Sequence, residues 1–299
     1  MAVIWEEPLL EKGTYQEQIY KVQDYIEKHL DMKLSAELLS KVAGFSPFHF
    51  QRIFSVISGE SLYGFIKRLR LEKAAYMLLS DRNRSITDIA LSVGFSNQSS
   101  FAKAFKARFN VSSSAYRKNK KDYNKSTFVG DYHEGMDMSI EPLSVEIKHE
   151  EDLQLVYVRY SGPYKGDSQL FSELFDSLYQ WGAERELISE SSRWFVIYHD
   201  YGDETHEDML RISVCLSVHR NVAVSGNVGV MTLQQGKYGV GKFYIDAKDY
   251  GKAWYHMYAV WLQQSGYTVA DRCAFEHYPA QEERSDKQLV EIYIPLMEI

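Results

Sequence analysis

Between Ser85 and Tyr116 the chain reads SITDIALSVGFSNQSSFAKAFKARFNVSSSAY, and its apolar positions fall at helical spacing in two runs. Ile86, Ile89, Ala90 and Val93 share one face of a short helix. Gly94-Phe95 supplies a turn, and Phe101, Phe105 and Phe109 recur behind Ser96, a candidate N-cap. The pattern predicts a helix-turn-helix, although an ordinary helical hairpin with a polar outer face fits this one segment as well. An earlier stretch, SAELLSKVAGFSPFHFQRIFSVISGE from Ser35, repeats the design: Leu38, Leu39 and Val42, then Gly44-Phe45, then Phe50, Ile53, Phe54 and Ile57 behind Ser46-Pro47. Gly44-Phe45-Ser46 matches Gly94-Phe95-Ser96 at a spacing of 50 residues, with one extra residue in the second turn. Gly59 and Asn110, the residue types best suited to a left-handed C-cap, follow the two second helices. The two stretches are an internal repeat.

Between the copies, SLYGFIKRLRLEKAAYMLLS predicts one continuous helix. Its roughly 18 residues span about 27 Å at 1.5 Å per residue, long enough to hold two second helices near one turn of DNA apart, about 34 Å. Upstream, Thr14 and Glu17 form a capping-box pair, and Ile19, Val22, Ile26 and Leu30 an apolar stripe, which predicts a packing helix from about Tyr15 to Leu30. Residues 1–13 carry no pattern and are expected to form an arm.

After Pro142 the period changes from helical to alternating. Strands are predicted at 153–160, 194–198, 210–218, 229–234, 239–245, 273–277 and 289–295, with aromatic-rich helices at 167–181 and 250–264. This reads as strand-helix-strand-strand, twice: an α+β domain of two related halves. The expected layout is an all-α double helix-turn-helix domain over 1–125, a polar linker over 126–142 and the duplicated α+β domain over 143–299.

Charge divides along the same boundary. The net charge of −7 argues against nucleic acid, yet residues 1–125 carry 20 Lys and Arg against 13 Asp and Glu, while residues 126–299 carry 14 against 28. A basic half beside an acidic half predicts two different partners. No apolar run reaches the roughly 20 residues that span a bilayer, and the N-terminus lacks a signal-peptide pattern, so a cytoplasmic protein without a membrane partner is expected. Cys215 and Cys273, the two cysteines, sit beside apolar residues in predicted strands and are read as buried, reduced thiols. The nine His residues show no metal-ligand spacing, and P-loop, GxSxG and Rossmann glycine patterns are lacking; no cofactor, metal or catalytic residue is assigned.

The segment from about Leu34 to Arg117 resembles the DNA-binding domain of the AraC/XylS family of bacterial transcription regulators. The match is carried by Gly44, Ser46, Pro47, Phe54, Gly59, Arg70, Ala74, Leu78, Ile89, Ala90, Gly94, Phe95, Phe101, Phe105, Tyr116 and Arg117. Ser40 and Ser113 depart from it, standing where the family favours Ala and Pro. The resemblance implies base contacts from Phe48, Gln51 and Arg52 in the first copy and from Gln98, Ser99, Ser100 and Lys103 in the second. The chemistry agrees: Arg pairs bidentately with guanine, Gln with adenine, and an aromatic ring touches a thymine methyl. For Phe48 core packing is the alternative, and for Lys103 a solvated surface charge. Ser46, Ser96, Lys106 and Arg108 read as phosphate or capping groups. Promoter DNA, a small-molecule effector and RNA polymerase are the partners this family implies.

The acidic half resembles the gyrase-inhibitor-like (GyrI-like) effector-binding domain over about 143–298. Its matching phrases are Tyr160-Ser161-Gly162-Pro163-Tyr164, Tyr198-His199-Asp200, Ala274-Phe275-Glu276-His277-Tyr278 and Glu291-Ile292-Tyr293-Ile294-Pro295-Leu296. The resemblance implies a multidrug-type groove for amphipathic or cationic molecules with Glu276 in it. Phe275 and Tyr278 flank that carboxylate, and Trp254, Tyr255, Tyr258 and Trp261 lie on the preceding helix. Tyr164, Tyr198, Trp254, Tyr258 and Phe275 are assigned to the site beside Glu276, since ring faces attract cations and burial disfavours an unpaired carboxylate. A solvated glutamate among core aromatics is the other reading. A small-molecule hydrolase using Glu276 with Tyr164 or Tyr198 as acid-base groups is the alternative function.

Overall fold

A computed structural model describes residues 15–81, 83–118, 140–200, 205–270, 272–280 and 287–298, with the side chains of Phe48 and Ser80 excepted. The arm expected over 1–13, Thr14 of the capping box and the linker up to residue 139 lie outside the described residues.

Seven helices form the first part: α1 (Tyr15–Lys28), α2 (Ala36–Ala43), α3 (Pro47–Ser58), α4 (Leu62–Ser80), α5 (Ile86–Ser92), α6 (Gln98–Phe109) and α7 (Ser113–Lys118). Local chemistry sets their ends. Ser35 Oγ accepts from Leu38 N at 3.2 Å at the start of α2, and Gly44 stops that helix at φ 70°. Ser85 Oγ accepts from Asp88 N at 3.0 Å and donates to Asp88 Oδ2 at 2.6 Å, a reciprocal cap for α5. Gly59 and Asn110 end α3 and α6 in the left-handed conformation, at φ 69° and 58°. One predicted cap moves: Asn97, not Ser96, caps α6, with Oδ1 accepting from Ser100 N at 2.8 Å. The extra turn residue thus shifts the whole second helix, and the equivalent positions of α3 and α6 lie 51 apart.

α4 belongs to two cores at once. Leu62, Phe65, Ile66 and Leu69 pack with α1, α2 and α3, whereas Leu71, Ala74, Ala75 and Leu78 pack with α5, α6 and α7. Arg70 ties the units further, donating to Leu30 O at 2.9 Å and Met32 O at 2.6 Å. Gly94, at φ +86°, lies so close to Leu30 O and the Arg70 guanidinium that a Cβ there would collide with both.

The second part is an eight-stranded antiparallel sheet. Its strands are β1 (Ser144–Glu150), β2 (Leu153–Ser161), β3 (Trp194–Tyr198), β4 (Arg211–Ser217), β5 (Val228–Leu233), β6 (Gly236–Ile245), β7 (Phe275–Tyr278) and β8 (Gln288–Pro295), in spatial order β1-β6-β8-β7-β3-β4-β2-β5. Helix α8 (Ser168–Ala183) follows β2. A second helix follows β6 in three parts: α9 (Tyr250–Tyr255), a π-helical turn (His256–Trp261) and α10 (Leu262–Ser265). The duplication is present, but each half is strand-strand-helix-strand-strand. β1 pairs with β6 and β5 pairs with β2, so each half lends its first strand to the other. Sequence reasoning missed β1 because SVEIKHE is a short edge strand whose charged residues, Glu146, Lys148 and Glu150, share one face and leave only Val145 and Ile147 as apolar signal on the other.

Alternation along the strands separates two faces. Val196, Tyr198, Ile212, Val214 and Leu216 meet α8, and Val290, Ile292 and Ile294 meet α9 and α10. The opposite face carries Tyr157, Phe195, Ile197, Tyr238, Phe275 and Tyr293, and Tyr20 of α1 packs into it. The helical part therefore covers one face of the sheet while α8, α9 and α10 cover the other. Cys215 is buried on β4, its thiol pushed up by burial. Cys273 departs from expectation: it is exposed, ahead of β7, and Ala274 rather than Cys273 enters the core.

Candidate nucleic-acid interface and ligand pocket

In α3 the core face is Phe50 and Phe54, both fully buried, so Gln51 and Arg52 turn outward and are exposed. In α6 Phe101, Ala104 and Phe105 face inward, leaving Gln98, Ser99, Ser100 and Lys103 exposed. The exposure persists with the sheet packed against the helical part, so that packing leaves both faces open. Among the described residues Arg52 and Lys103 have no ion-pair partner. Thr87 Oγ1 donates to Gln98 Oε1 at 3.0 Å and steadies the first residue of α6. The side chain of Phe48 lies outside the described residues. His49, exposed and 51 residues before Ser100, was missed; the repeat itself carries that signal once the extra turn residue is counted. Arg108 Nη2 binds Glu72 Oε1 at 2.9 Å, which ties α6 to α4 while the Arg108 side chain stays partly exposed.

The second site centres on Glu276, 1% exposed on β7. β7 pairs with β3 in the register Val196↔Glu276 and Trp194↔Tyr278, which brings Tyr198 to the same face two residues along. Glu276 Oε2 accepts from Tyr198 OH at 2.9 Å and from Tyr278 OH at 2.6 Å, while Oε1 accepts from Trp254 Nε1 at 2.6 Å. Tyr164 stands 5.8 Å from the Tyr198 ring, Trp254 lies edge-on to Tyr198 at 5.6 Å, and Tyr258 stacks on Trp254 at 6.0 Å. The structure thus brings Glu276, Tyr164, Tyr198, Trp254 and Tyr258 together.

Phe275 is not with them. As the neighbour of Glu276 on a strand it points to the other face, stacked on Tyr293 at 4.5 Å. Tyr278, two residues on from Glu276, is the residue alternation selects in its place, and Phe175 of α8 packs edge-on against it at 5.4 Å. Two glycines on β6 let the π-helical turn lie close over the site: a Cβ at Gly239 would strike the Trp261 ring, and one at Gly241 the Met257 thioether.

Burial raises the Glu276 pKa, and the three donated hydrogen bonds pull it back only in part. Burial and the adjacent carboxylate push the Tyr198 and Tyr278 hydroxyls well above their usual range, so both stay protonated donors. The result is a sealed carboxylate, satisfied by neutral donors among rings whose faces favour a cation.

This geometry can be set beside known proteins. Residues 143–297 match the GyrI-like small molecule binding domain, and residues 39–119 match a helix-turn-helix domain. The chain belongs to the GyrI-like family. Its helical part is of the AraC/XylS helix-turn-helix type, as in the HTH-type transcriptional activator AarP of Providencia stuartii, 38% identical over 106 residues that make up 36% of this chain and 78% of AarP. The uncharacterized HTH-type transcriptional regulator YbfP of Bacillus subtilis (strain 168) is 39% identical over 103 residues, 34% of this chain; the match spans 35% of YbfP. The solved EcmrR C-terminal domain covers 52% of this GyrI-like chain and 98% of its own, at 16% identity and a TM-score of 0.42. No helix among the described residues is long and apolar enough to cross a membrane.

Proposed function

We propose that this GyrI-like chain is a cytoplasmic transcription regulator that reads two adjacent major grooves and responds to a lipophilic cation or aromatic molecule held at Glu276. The observation that carries the reading is the repeat on one rod: α3 and α6, each anchored by a Phe pair and joined through α4, expose Arg52 and Lys103, which have no ion-pair partner among the described residues. Arg suits guanine edges and Lys suits bases or phosphates. Gln51, Gln98, Ser99 and Ser100 supply further donors and acceptors, and RNA polymerase is the macromolecular partner that regulation of a promoter requires.

Selection of duplexes from a random pool, followed by footprinting, tests this directly. Arg52→Ala and Lys103→Ala should each cost about 1–3 kcal/mol on the selected duplex, roughly 5- to 150-fold, with a smaller loss on bulk DNA. Equal loss on both would reject base reading. The hydrolase alternative has less support, because Glu276 is 1% exposed and both its oxygens are already engaged by Tyr198, Tyr278 and Trp254.

A further inference from the structure

The helical part and the sheet meet through a buried chain of alternating charge. On α1, Asp24 binds Arg159 of β2 at 2.7 Å, and Glu27 binds Arg211 of β4 and His199. Arg211 binds Asp200 at 2.7 Å, and Asp200 reaches Arg68 of α4 at 3.5 Å. Arg68 binds Glu72 at 3.1 Å, and Glu72 binds Arg108 of α6. Arg159, His199, Asp200, Arg211, Arg68 and Glu72 are all buried. The chain runs without a gap from the sheet to the second recognition helix.

Such an arrangement is all-or-none. Each buried ion costs several kcal/mol in desolvation, recovered only when its partners are in place, so the interface is either docked in this register or apart.

Its position relative to Glu276 gives it a use. His199 and Asp200 directly follow Tyr198, the residue whose hydroxyl closes over Glu276, and the His199 amide still pairs with Arg211 O at 3.1 Å. The three residues are consecutive at the end of β3: one faces the pocket, and the next two bind the charge chain. A cation reaching the Glu276 carboxylate must displace donors that now fill it, Tyr198 among them. Tyr76 of α4 also packs against the hydrophobic cluster to which Trp254 belongs.

We propose that the end of β3 is a lever coupling occupancy of the Glu276 pocket to the docking of the helical part, through Asp200, Arg68, Glu72 and Arg108. This rests on the functional reading above and adds the route by which the two sites communicate. A ligand that binds the docked and undocked forms unequally then changes DNA affinity, and DNA changes ligand affinity by the same factor.

The test uses the full chain, tetraphenylphosphonium as the cation and a duplex selected by the wild type. For the wild type, duplex affinity should shift at least about fivefold on saturation with the cation, and cation affinity should shift equally on adding duplex. The paired change Arg68→Met with Glu72→Leu removes two opposite charges together; their other partners, Glu60 and Arg108, reach solvent, and circular dichroism confirms the fold. The double variant should bring both shifts within about twofold of unity while each probe still binds. Asp200→Asn, with circular dichroism to confirm folding, should do the same. A wild type that binds both probes with no mutual effect overturns the lever, and so does a variant that keeps the full shift. A wild type that fails to bind one of the probes overturns the functional reading beneath it.

Discussion

Glu276 shows what one buried carboxylate implies. Its pKa is raised in the folded protein, so the folded state favours the protonated form. The stability this contributes is present below the usual glutamate range and is lost as pH rises through the raised value. A bound cation reverses the preference by favouring the ionised form, so cation uptake should release protons in that window. Tetraphenylphosphonium affinity should rise with pH and level off above the raised pKa. Glu276→Gln should flatten that dependence and weaken binding about tenfold or more, about 1.4 kcal/mol. Calorimetry in two buffers of different ionisation heat reads both effects, and an unchanged affinity removes Glu276 from the pocket. The neighbouring positions show how far residue-level reading reaches. Ring chemistry near Glu276 was legible, and strand alternation already favours Tyr278 over Phe275 on the face of Glu276. That Tyr198 and Trp254 both donate to the same carboxylate was not, since they come from β3 and α9.

At the scale of elements, close backbone approaches hold the two working surfaces in place. Gly94→Ala puts a side chain at φ +86° and against Leu30 O and Arg70, the contact joining the two helix-turn-helix units. A loss of about 2–4 kcal/mol in unfolding free energy is expected, measurable by denaturant titration, with duplex affinity lost in parallel. Gly239→Ala should push Trp261 and the π-helical turn off the sheet, weakening cation binding more than it weakens DNA binding. Most elements were legible because their signals are local: turns at Gly44-Phe45 and Gly94-Phe95, left-handed ends at Gly59 and Asn110, and Phe pairs one helical turn apart. β1 was not, since an edge strand gains its place from pairing with β6, a partner about 90 residues away.

At the scale of the whole molecule, the joint between the parts dominates. Arg159→Ala leaves Asp24 without its partner at the interface and should cost about 3–5 kcal/mol. Replacing Asp24 by Leu and Arg159 by Met together should cost much less, because no orphaned charge remains. Acid should loosen the same joint. Burial alone would raise Glu27, but Arg211, His199 and Arg159 hold it well below the usual carboxylate range. Its contribution is therefore complete above the ordinary value and is lost as pH falls through the depressed one. Acid unfolding of the wild type beside Glu27→Gln should show the wild type alone losing this contribution.

The periodicity of the chain by itself determined two helix-turn-helix copies on a continuous helix and a duplicated α+β half, because each depends on residues within a few turns or strands of one another, and the family resemblance, not the periodicity, pointed to Glu276. It could not reveal that α1 has two buried faces. Ile19, Val22 and Ile26 announce one of them, but Tyr20, Asp24 and Glu27 read as a solvated side until Tyr157, Arg159 and Arg211 arrive from more than a hundred residues away. Only the tertiary structure decided that acidic residues of the basic half, Asp24 and Glu27, bind basic residues of the acidic half, Arg159 and Arg211, against the overall division of charge. A buried ion pair follows no period, and its two members need share nothing in sequence except opposite sign.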